Sequence, residues 1–174
     1  MHPEILSIAL FWFVAAYTPG PNNIVASYSG FNFGITKTIP HILGVTLGFT
    51  SLVFFLTVGL ISVFKLFPII QEIIKYLGTL FLLYLAYKIS FSKISTETER
   101  VNPVKFIETF LFQYLNPKGV MVAIIVVSTY VDLGENYLSY ATQVILLALI
   151  FSGTSITLWT FIGKFLRKFA TNEK

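Results

Sequence analysis

Residues 18–23 read Thr-Pro-Gly-Pro-Asn-Asn, and this run interrupts an apolar stretch that begins at Ile5 and ends at Phe33. Proline removes a backbone donor and clashes with the preceding helical turn, so two prolines around a glycine are expected to end a helix here. Asn22 and Asn23 offer side-chain oxygens that can cap the helix that follows. Because the stretch is long enough to cross a bilayer, the interruption is a candidate binding site inside a membrane helix.

The composition is typical of an integral membrane protein. Of the 174 residues, 55% are hydrophobic and 11% are charged, whereas soluble domains carry about 25% charged residues. Several apolar runs exceed the roughly 18 to 20 residues that span hydrocarbon as a helix. Because lipid excludes unpaired backbone groups, we predict an all-α integral membrane protein. The chain has no cysteine, which excludes disulfides, thiolate metal sites and a cysteine nucleophile.

The apolar runs predict five transmembrane helices in one membrane domain, residues 1–174. The predicted spans cover residues 5–33, 38–64, 68–90, 104–131 and 137–162. The domain divides into a first three-helix repeat (1–91), a cytoplasmic linker (92–102) and an incomplete second repeat with a basic tail (103–174). The first four residues lack the basic region of a cleavable signal peptide, so we expect the first span to be retained.

The positions of lysine and arginine predict the orientation of the chain. If the N-terminus is outside, nine of these residues lie on the cytoplasmic side and only Lys65 and Lys75 lie on the outer side. Cytoplasmic loops carry such an excess of positive charge. We therefore expect a multi-pass protein of the cell membrane with its N-terminus outside and its C-terminus in the cytoplasm. The same arrangement accounts for the net charge of +4 without a nucleic-acid partner.

A second interruption, Asn116-Pro117-Lys118-Gly119, lies in the fourth predicted span. Spans one and four therefore carry the same kind of break at mid-membrane, and the two breaks lie three spans apart. An odd repeat reverses its orientation, so the chain is predicted to hold three plus two helices of an inverted 3+3 repeat. Paired broken helices in corresponding positions indicate the binding site of a transporter. The alternative is that both breaks are packing kinks.

The chemistry of the two breaks favours a carboxylate ligand. A helix N-terminus carries about half a positive charge and unpaired N–H groups, and a half-helix begins after Pro21 and after Pro117. The asparagines would either orient the substrate or only cap the helices. The predicted substrate-binding residues surround the two breaks and are Pro19, Gly20, Pro21, Asn22, Asn23, Asn116, Pro117 and Lys118.

Lys118 is the one ionisable residue predicted near the bilayer centre. A charge there costs at least about 2.5 kcal/mol, so by default it marks function. Lys118 would attract the substrate carboxylate; alternatively it reaches the interface or pairs with carbonyls that the break frees. Glu108 and His41 are expected at the cytoplasmic ends of their spans, as interfacial residues rather than a proton relay. No Ser/His dyad or His-Glu-x-x-His motif occurs, so we predict no enzyme, metal or cofactor.

Gly44 and Gly48 form a pair with small-xxx-small spacing in the second predicted span. Such pairs allow two helices to approach closely. The pair would serve helix packing within one protomer or form the seam of a homo-oligomer. Both alternatives place the glycines at a helix contact.

Several of these motifs resemble the LysE/RhtB family of amino-acid exporters, over about residues 5–165. The resemblance rests on Thr-Pro-Gly-Pro-Asn-Asn-Ile (18–24), Gly-Val-Thr-Leu-Gly (44–48), residues 76–87 and Phe-Gln-Tyr-Leu-Asn-Pro-Lys (112–118). It is strongest to the cysteine/O-acetylserine and homoserine/threonine exporter branches. The resemblance implies export of small amino acids across the cytoplasmic membrane by alternating access, driven by the proton gradient.

Two departures from the family pattern shape the hypothesis. Family members usually have six spans, so this chain resembles a member shortened at the C-terminus. Acidic residues of the lysine/arginine branch align with Gly48 and Val122 here, so the resemblance implies a neutral zwitterion as substrate. The competing hypothesis is a non-transporting accessory or degenerate membrane protein of the same fold. Efflux of labelled amino acids from expressing cells would separate the two.

Overall fold

The computed structural model describes residues 2–60, 103–131 and 134–171, with scattered positions between 66 and 87. Five α-helices have defined bounds there: α1 (Ile5–Tyr17), α2 (Pro21–Phe55), α3 (Phe106–Leu115), α4 (Pro117–Tyr130) and α5 (Tyr137–Thr171). A π-helical turn, Leu56–Leu60, follows α2. No strand occurs in these described ranges, in agreement with the predicted all-α class. The predicted linker, 92–102, and most of the third predicted span lie outside them.

The long helix α2 turns back on itself at Gly34. A straight helix would separate Asn22 and His41 by about 28 Å, yet the Nε2 atom of His41 lies 3.4 Å from the carbonyl oxygen of Asn22. Gly34 has φ +75° and ψ −179°, a conformation open almost only to glycine. Residues 21–33 and 35–55 are therefore two antiparallel helices. The turn falls directly after the predicted end of the first span.

Each predicted interruption separates two helices. α1 ends at Tyr17, and α2 begins at Pro21 after an extended Gly20. α3 and α4 meet at Asn116 with a bend of 60°. Spans one and four are thus broken at the predicted positions, because proline cannot donate to the preceding helical turn.

α5 crosses α2 at glycine residues, where the two backbones meet with no side chain between them. A Cβ atom on Gly30 would overlap the carbonyl oxygen of Thr160, and one on Gly163 would overlap the carbonyl oxygen of Ser27. The two backbones therefore touch directly at this crossing. Glycine at both positions is what permits the approach.

Gly44 and Gly48 lie against α3 of the same chain. A Cβ atom on Gly44 would overlap the hydroxyl of Thr109, and one on Gly48 would lie 2.6 Å from the carbonyl oxygen of Phe110. The structure therefore places this pair at a contact between helices of one protomer. The contact holds residues 35–55 close to the second break.

Every helical segment contributes to the apolar core. Ile8 and Trp12 of α1 pack with Leu52 of α2, Val120 of α4 and Val144 of α5, all of them at most 4% exposed. The outer faces remain apolar as well: Leu6 is 82% exposed and Leu138 is 76% exposed. Apolar surface outside an apolar core is expected of helices that contact lipid.

Length and composition identify candidate membrane spans among the described helices. Pro21–Gly59 and Tyr137–Ala170 each have a mean hydropathy of 2.0, and the bent pair α3 and α4 qualifies as a third span. Because residues 21–59 turn back at Gly34, residues 35–59 are long enough for one crossing, and residues 21–33 follow the shorter apolar α1. The total of five spans stays a prediction, as does the division into 1–91, 92–102 and 103–174.

Candidate functional site

The two breaks have the same local structure. Gly20 and Asn116 occupy the N-cap positions, each with extended backbone, and a proline follows as the first helical residue. The N–H of Ile24 donates to the carbonyl of Gly20, and the N–H of Val120 donates to the carbonyl of Asn116, both over 2.9 Å. Proline is favoured at this position because its missing N–H has no intrahelical partner anyway.

Each half-helix therefore presents two backbone N–H groups at its start. Helix geometry leaves the amides of Asn22 and Asn23 without an intrahelical acceptor, and likewise those of Lys118 and Gly119. The helix dipole adds partial positive charge at both ends. Four donors and two dipoles thus favour an anionic group.

The asparagines do not cap the helices, contrary to the sequence-based expectation. No side-chain cap bond forms at either N-terminus. Because Pro21 takes the first helical position, Asn22 and Asn23 fall within the first turn. Asn23 donates from Nδ2 to the carbonyls of Ala16 and Thr18 over 2.9 and 3.0 Å.

Asn22 and Gln113 join the two broken helices through reciprocal hydrogen bonds. Asn22 Nδ2 donates to Gln113 Oε1 over 2.7 Å, and Gln113 Nε2 donates to Asn22 Oδ1 over 3.2 Å. Gln113 is fully buried and also donates to the carbonyl of Thr109 over 2.7 Å. The pair fixes the start of residues 21–33 beside α3.

Lys118 forms the second link between the breaks. Its Nζ donates to the carbonyl oxygen of Thr18 over 2.7 Å. A Cβ atom on Gly20 would lie 3.1 Å from both Cδ and Nζ of Lys118, so a larger residue at position 20 would require this side chain to shift. In this conformation Lys118 pairs with a carbonyl that the first break frees. An ammonium has three donors, so two remain after this bond.

A cavity of about 70 Å³ lies where the two breaks meet. Six of the eight predicted site residues line it: Gly20, Pro21, Asn22, Asn23, Asn116 and Lys118. Pro19 and Pro117 are not among the lining residues and act only through the backbone breaks. Pro19 and Pro117 thus shape the site without facing it.

Two buried polar atoms on cavity-lining residues lack a hydrogen-bond partner among the described residues: Trp12 Nε1 and Asn116 Oδ1. Trp12 is 1% exposed and Asn116 is 3% exposed. Buried polar groups are nearly always paired in folded proteins. An unpaired donor and an unpaired acceptor at the same cavity therefore indicate positions for a polar ligand or for water.

The electrostatics of the cavity are positive. Lys118 is the one ionisable residue among those lining it, and no carboxylate balances that charge there. Within the part of the chain that the structure describes, no group of histidine, aspartate or glutamate residues could hold a metal ion. The site can bind a carboxylate at the amides and at Lys118, while Asn116 Oδ1 can accept from an ammonium.

Several lining residues were not identified from the sequence. They are Trp12, Ala15, Ala16, Phe49, Gln113, Gly119, Val122, Ser152, Ser155 and Ile156. Ser155 donates to the carbonyl of Ala16 over 2.7 Å. Ser152 and Ser155 share one helix face at a spacing of three residues, and this polar pair in an apolar helix was one sequence signal for the site. Gln113, a polar residue one turn before Asn116, was another.

The expectations for His41 and Glu108 have different outcomes. His41 is 1% exposed, because the antiparallel turn at Gly34 buries it beside Asn22; its position at the membrane interface stays a prediction. Glu108 accepts the N–H of Lys105 over 3.0 Å at the start of α3. It is a helix-capping residue and does not line the cavity.

Comparison with known proteins gives a family. Residues 13–173 match the family described as LysE type translocator. The chain is 36% identical over 155 residues to the cysteine/O-acetylserine efflux protein of Salmonella typhimurium (strain LT2) and 31% identical to the protein of that name from Escherichia coli (strain K12). Each alignment covers 86% of this chain and 78% of the relative. No solved structure matches it.

These comparisons agree with the motifs around the two breaks. The match extends through both broken helices, and the relatives are named as efflux proteins, so the expectation of a membrane transporter rather than an enzyme is confirmed. The chain belongs to the LysE/RhtB family of translocators.

Proposed function

We propose that this protein exports small neutral amino acids or their derivatives across the cell membrane by alternating access around the two breaks. One observation carries the proposal: two half-helix N-termini, the Lys118 ammonium and the unpaired Asn116 Oδ1 meet at one cavity. The relatives named as cysteine/O-acetylserine efflux proteins support the substrate class.

The substrate carboxylate would bind between the two N-termini. The free amides of Asn22, Asn23, Lys118 and Gly119 would donate to it, and Lys118 Nζ would supply the opposite charge. Hydrogen bonds to charged groups contribute about 1.5–3 kcal/mol each. The α-ammonium of the substrate would donate to Asn116 Oδ1. A zwitterion would thus bind through its carboxylate at the donors and through its ammonium at this acceptor.

The absence of a carboxylate among the lining residues favours a neutral side chain on the substrate. A second cation would enter a buried site that already holds Lys118, and an unpaired buried charge is strongly destabilising. Val122 lines the cavity and Gly48 lies against α3, so neither offers a counter-charge. We therefore propose cysteine-sized or O-acetylserine-sized zwitterions rather than dibasic amino acids.

The membrane arrangement is part of the same proposal. Five spans with the N-terminus outside would place both breaks at mid-membrane, as in transporters built from inverted repeats. The matched geometry at Gly20 and Asn116 supports the repeat, and the cytoplasmic excess of lysine and arginine supports the orientation. Entry of protons down their gradient would drive export.

Efflux from preloaded cells tests the proposal. Cells that express the protein should lose labelled O-acetyl-L-serine faster than cells with an empty vector. Asn116→Ala removes the unpaired acceptor and should slow efflux about tenfold or more. Asn32→Ala is the matched control, because Asn32 is exposed and its side chain donates to the carbonyl of Tyr28 in the same helix. Efflux equal to the vector control, with the protein present in the membrane, would favour the accessory or degenerate alternative.

A further inference from the structure

His41 is a buried titratable side chain that the proposed binding site does not use. It is 1% exposed, and its Nε2 lies 3.4 Å from the carbonyl oxygen of Asn22. Asn22 lines the cavity and is paired with Gln113. The imidazole is therefore hydrogen-bonded directly to a residue that lines the binding site.

The contact with Asn22 defines the tautomer of His41. A carbonyl oxygen only accepts, so Nε2 carries the hydrogen and Nδ1 carries the lone pair. Nδ1 is buried and has no hydrogen-bond partner among the residues with defined positions. It is therefore a vacant acceptor for one proton: an N–H bond forms at Nδ1 as an O–H bond of a hydronium ion breaks.

No hydrogen bond or ion pair with a described residue offers His41 a counter-charge. On α3, Glu108 accepts from Lys105, and Tyr114 shares a hydrogen bond with Ser51 over 2.8 Å. Lys118 of α4 bonds to Thr18. Lys37 and the basic residues near the end of α5 are exposed, and Tyr28 is half-buried without a bond to His41. A protonated His41 would thus be a buried cation without a partner, which disfavours this conformation.

We propose that His41 is the proton-carrying residue that couples export to the proton gradient, an inference that rests on the proposed transport function. Protonation of Nδ1 shifts the population toward a conformation in which the cation is hydrated. The shift reaches the binding site through Asn22 and its pair with Gln113.

Accumulation of O-acetyl-L-serine in proteoliposomes with an acidic interior tests this inference. For one proton exchanged per zwitterion, with the membrane potential clamped at zero, a gradient of one pH unit supports about tenfold accumulation. The wild-type protein should reach this ratio, and His41→Gln should reach a ratio of about one while exchanging labelled for unlabelled substrate at equal pH. Ser29→Ala is the matched control, because Ser29 forms a buried hydrogen bond with Thr38 across the same turn at Gly34. Its accumulation should equal that of the wild type.

The outcomes separate the two proposals. Tenfold accumulation by His41→Gln would overturn the role of His41. Wild-type exchange without gradient-driven accumulation would also overturn it, while export by exchange would survive. Neither exchange nor accumulation by the wild-type protein would overturn both proposals.

A second measurement covers the case in which His41→Gln does not fold. The chain has two histidines, His2 and His41, so a His2→Gln variant labelled with ¹⁵N-histidine reports on His41 alone. Its nitrogen resonances should change with pH, and saturating O-acetyl-L-serine should shift the midpoint of that change. Resonances that do not change with pH, with and without substrate, would overturn the inference.

Discussion

Replacing Lys118 with methionine is expected to weaken the binding of O-acetyl-L-serine by about 10- to 150-fold. The proposed site loses the one cation that lines its cavity. A hydrogen bond to a charged group contributes about 1.5–3 kcal/mol, and about 1.4 kcal/mol corresponds to a tenfold change in Kd. The expected range of Kd follows from these two values.

The same substitution should leave the fold intact. Lys118 Nζ donates to the carbonyl of Thr18, but that carbonyl also accepts from Asn23 Nδ2 over 3.0 Å. No buried carbonyl is therefore left without a donor. Methionine also fills much of the space of the lysine stem and removes a partly buried charge, which is often neutral or stabilising.

Calorimetric titration of the purified protein in lipid nanodiscs measures the effect. Lys164→Met is the matched control, because Lys164 is an exposed lysine of α5 that we do not place in the site. The control should bind like the wild type. A Kd for Lys118→Met within about threefold of the wild type, at an unchanged Tm, would refute the assignment of Lys118 to the carboxylate.

Three further predictions concern the scaffold of the site. Gly163→Val should lower stability by about 1–3 kcal/mol or more through overlap with α2, measured as a fall in Tm in detergent; Gly153→Ala, whose Cβ would lie 3.3 Å from a methyl group, should be milder. Gly34→Ala should cost about 1–3 kcal/mol from backbone strain alone, since its Cβ would meet nothing within 4 Å; an unchanged Tm would contradict the turn. Asn22→Ala and Gln113→Ala should not be additive in a double-mutant cycle of unfolding, with a coupling of about 0.6–1.7 kcal/mol; strict additivity would contradict their reciprocal bonds.

The breaks and the first turn could be predicted because each depends on local chemistry. Runs such as Pro-Gly-Pro and Asn-Pro interrupt a helix through local backbone chemistry, so the breaks at Pro21 and Pro117 and the end of the first predicted span near Gly34 follow from a few neighbouring residues. The prediction of an all-α membrane protein follows in the same way from the lengths of the apolar runs. These features need no knowledge of contacts between distant segments.

The pairing of distant residues could not be predicted from the sequence. Asn22 and Gln113 are 91 residues apart, and nothing in either neighbourhood specifies the other. The burial of His41 depends on how tightly the chain turns at Gly34. The capping role expected of Asn22 and Asn23 was wrong because Pro21 moves both residues into the first turn. Such outcomes depend on tertiary packing rather than on residue preference.

Asn23 fixes the geometry of the first break before a ligand binds, and this affects the free energy of binding. Both of its hydrogen bonds go to the carbonyls of Ala16 and Thr18, so the end of α1 and the start of the next helix are held in a fixed relative position. The amides that face the cavity are thus oriented when the chain folds. Preorganised donors need no ordering when a ligand arrives, which preserves more of the interaction energy as affinity.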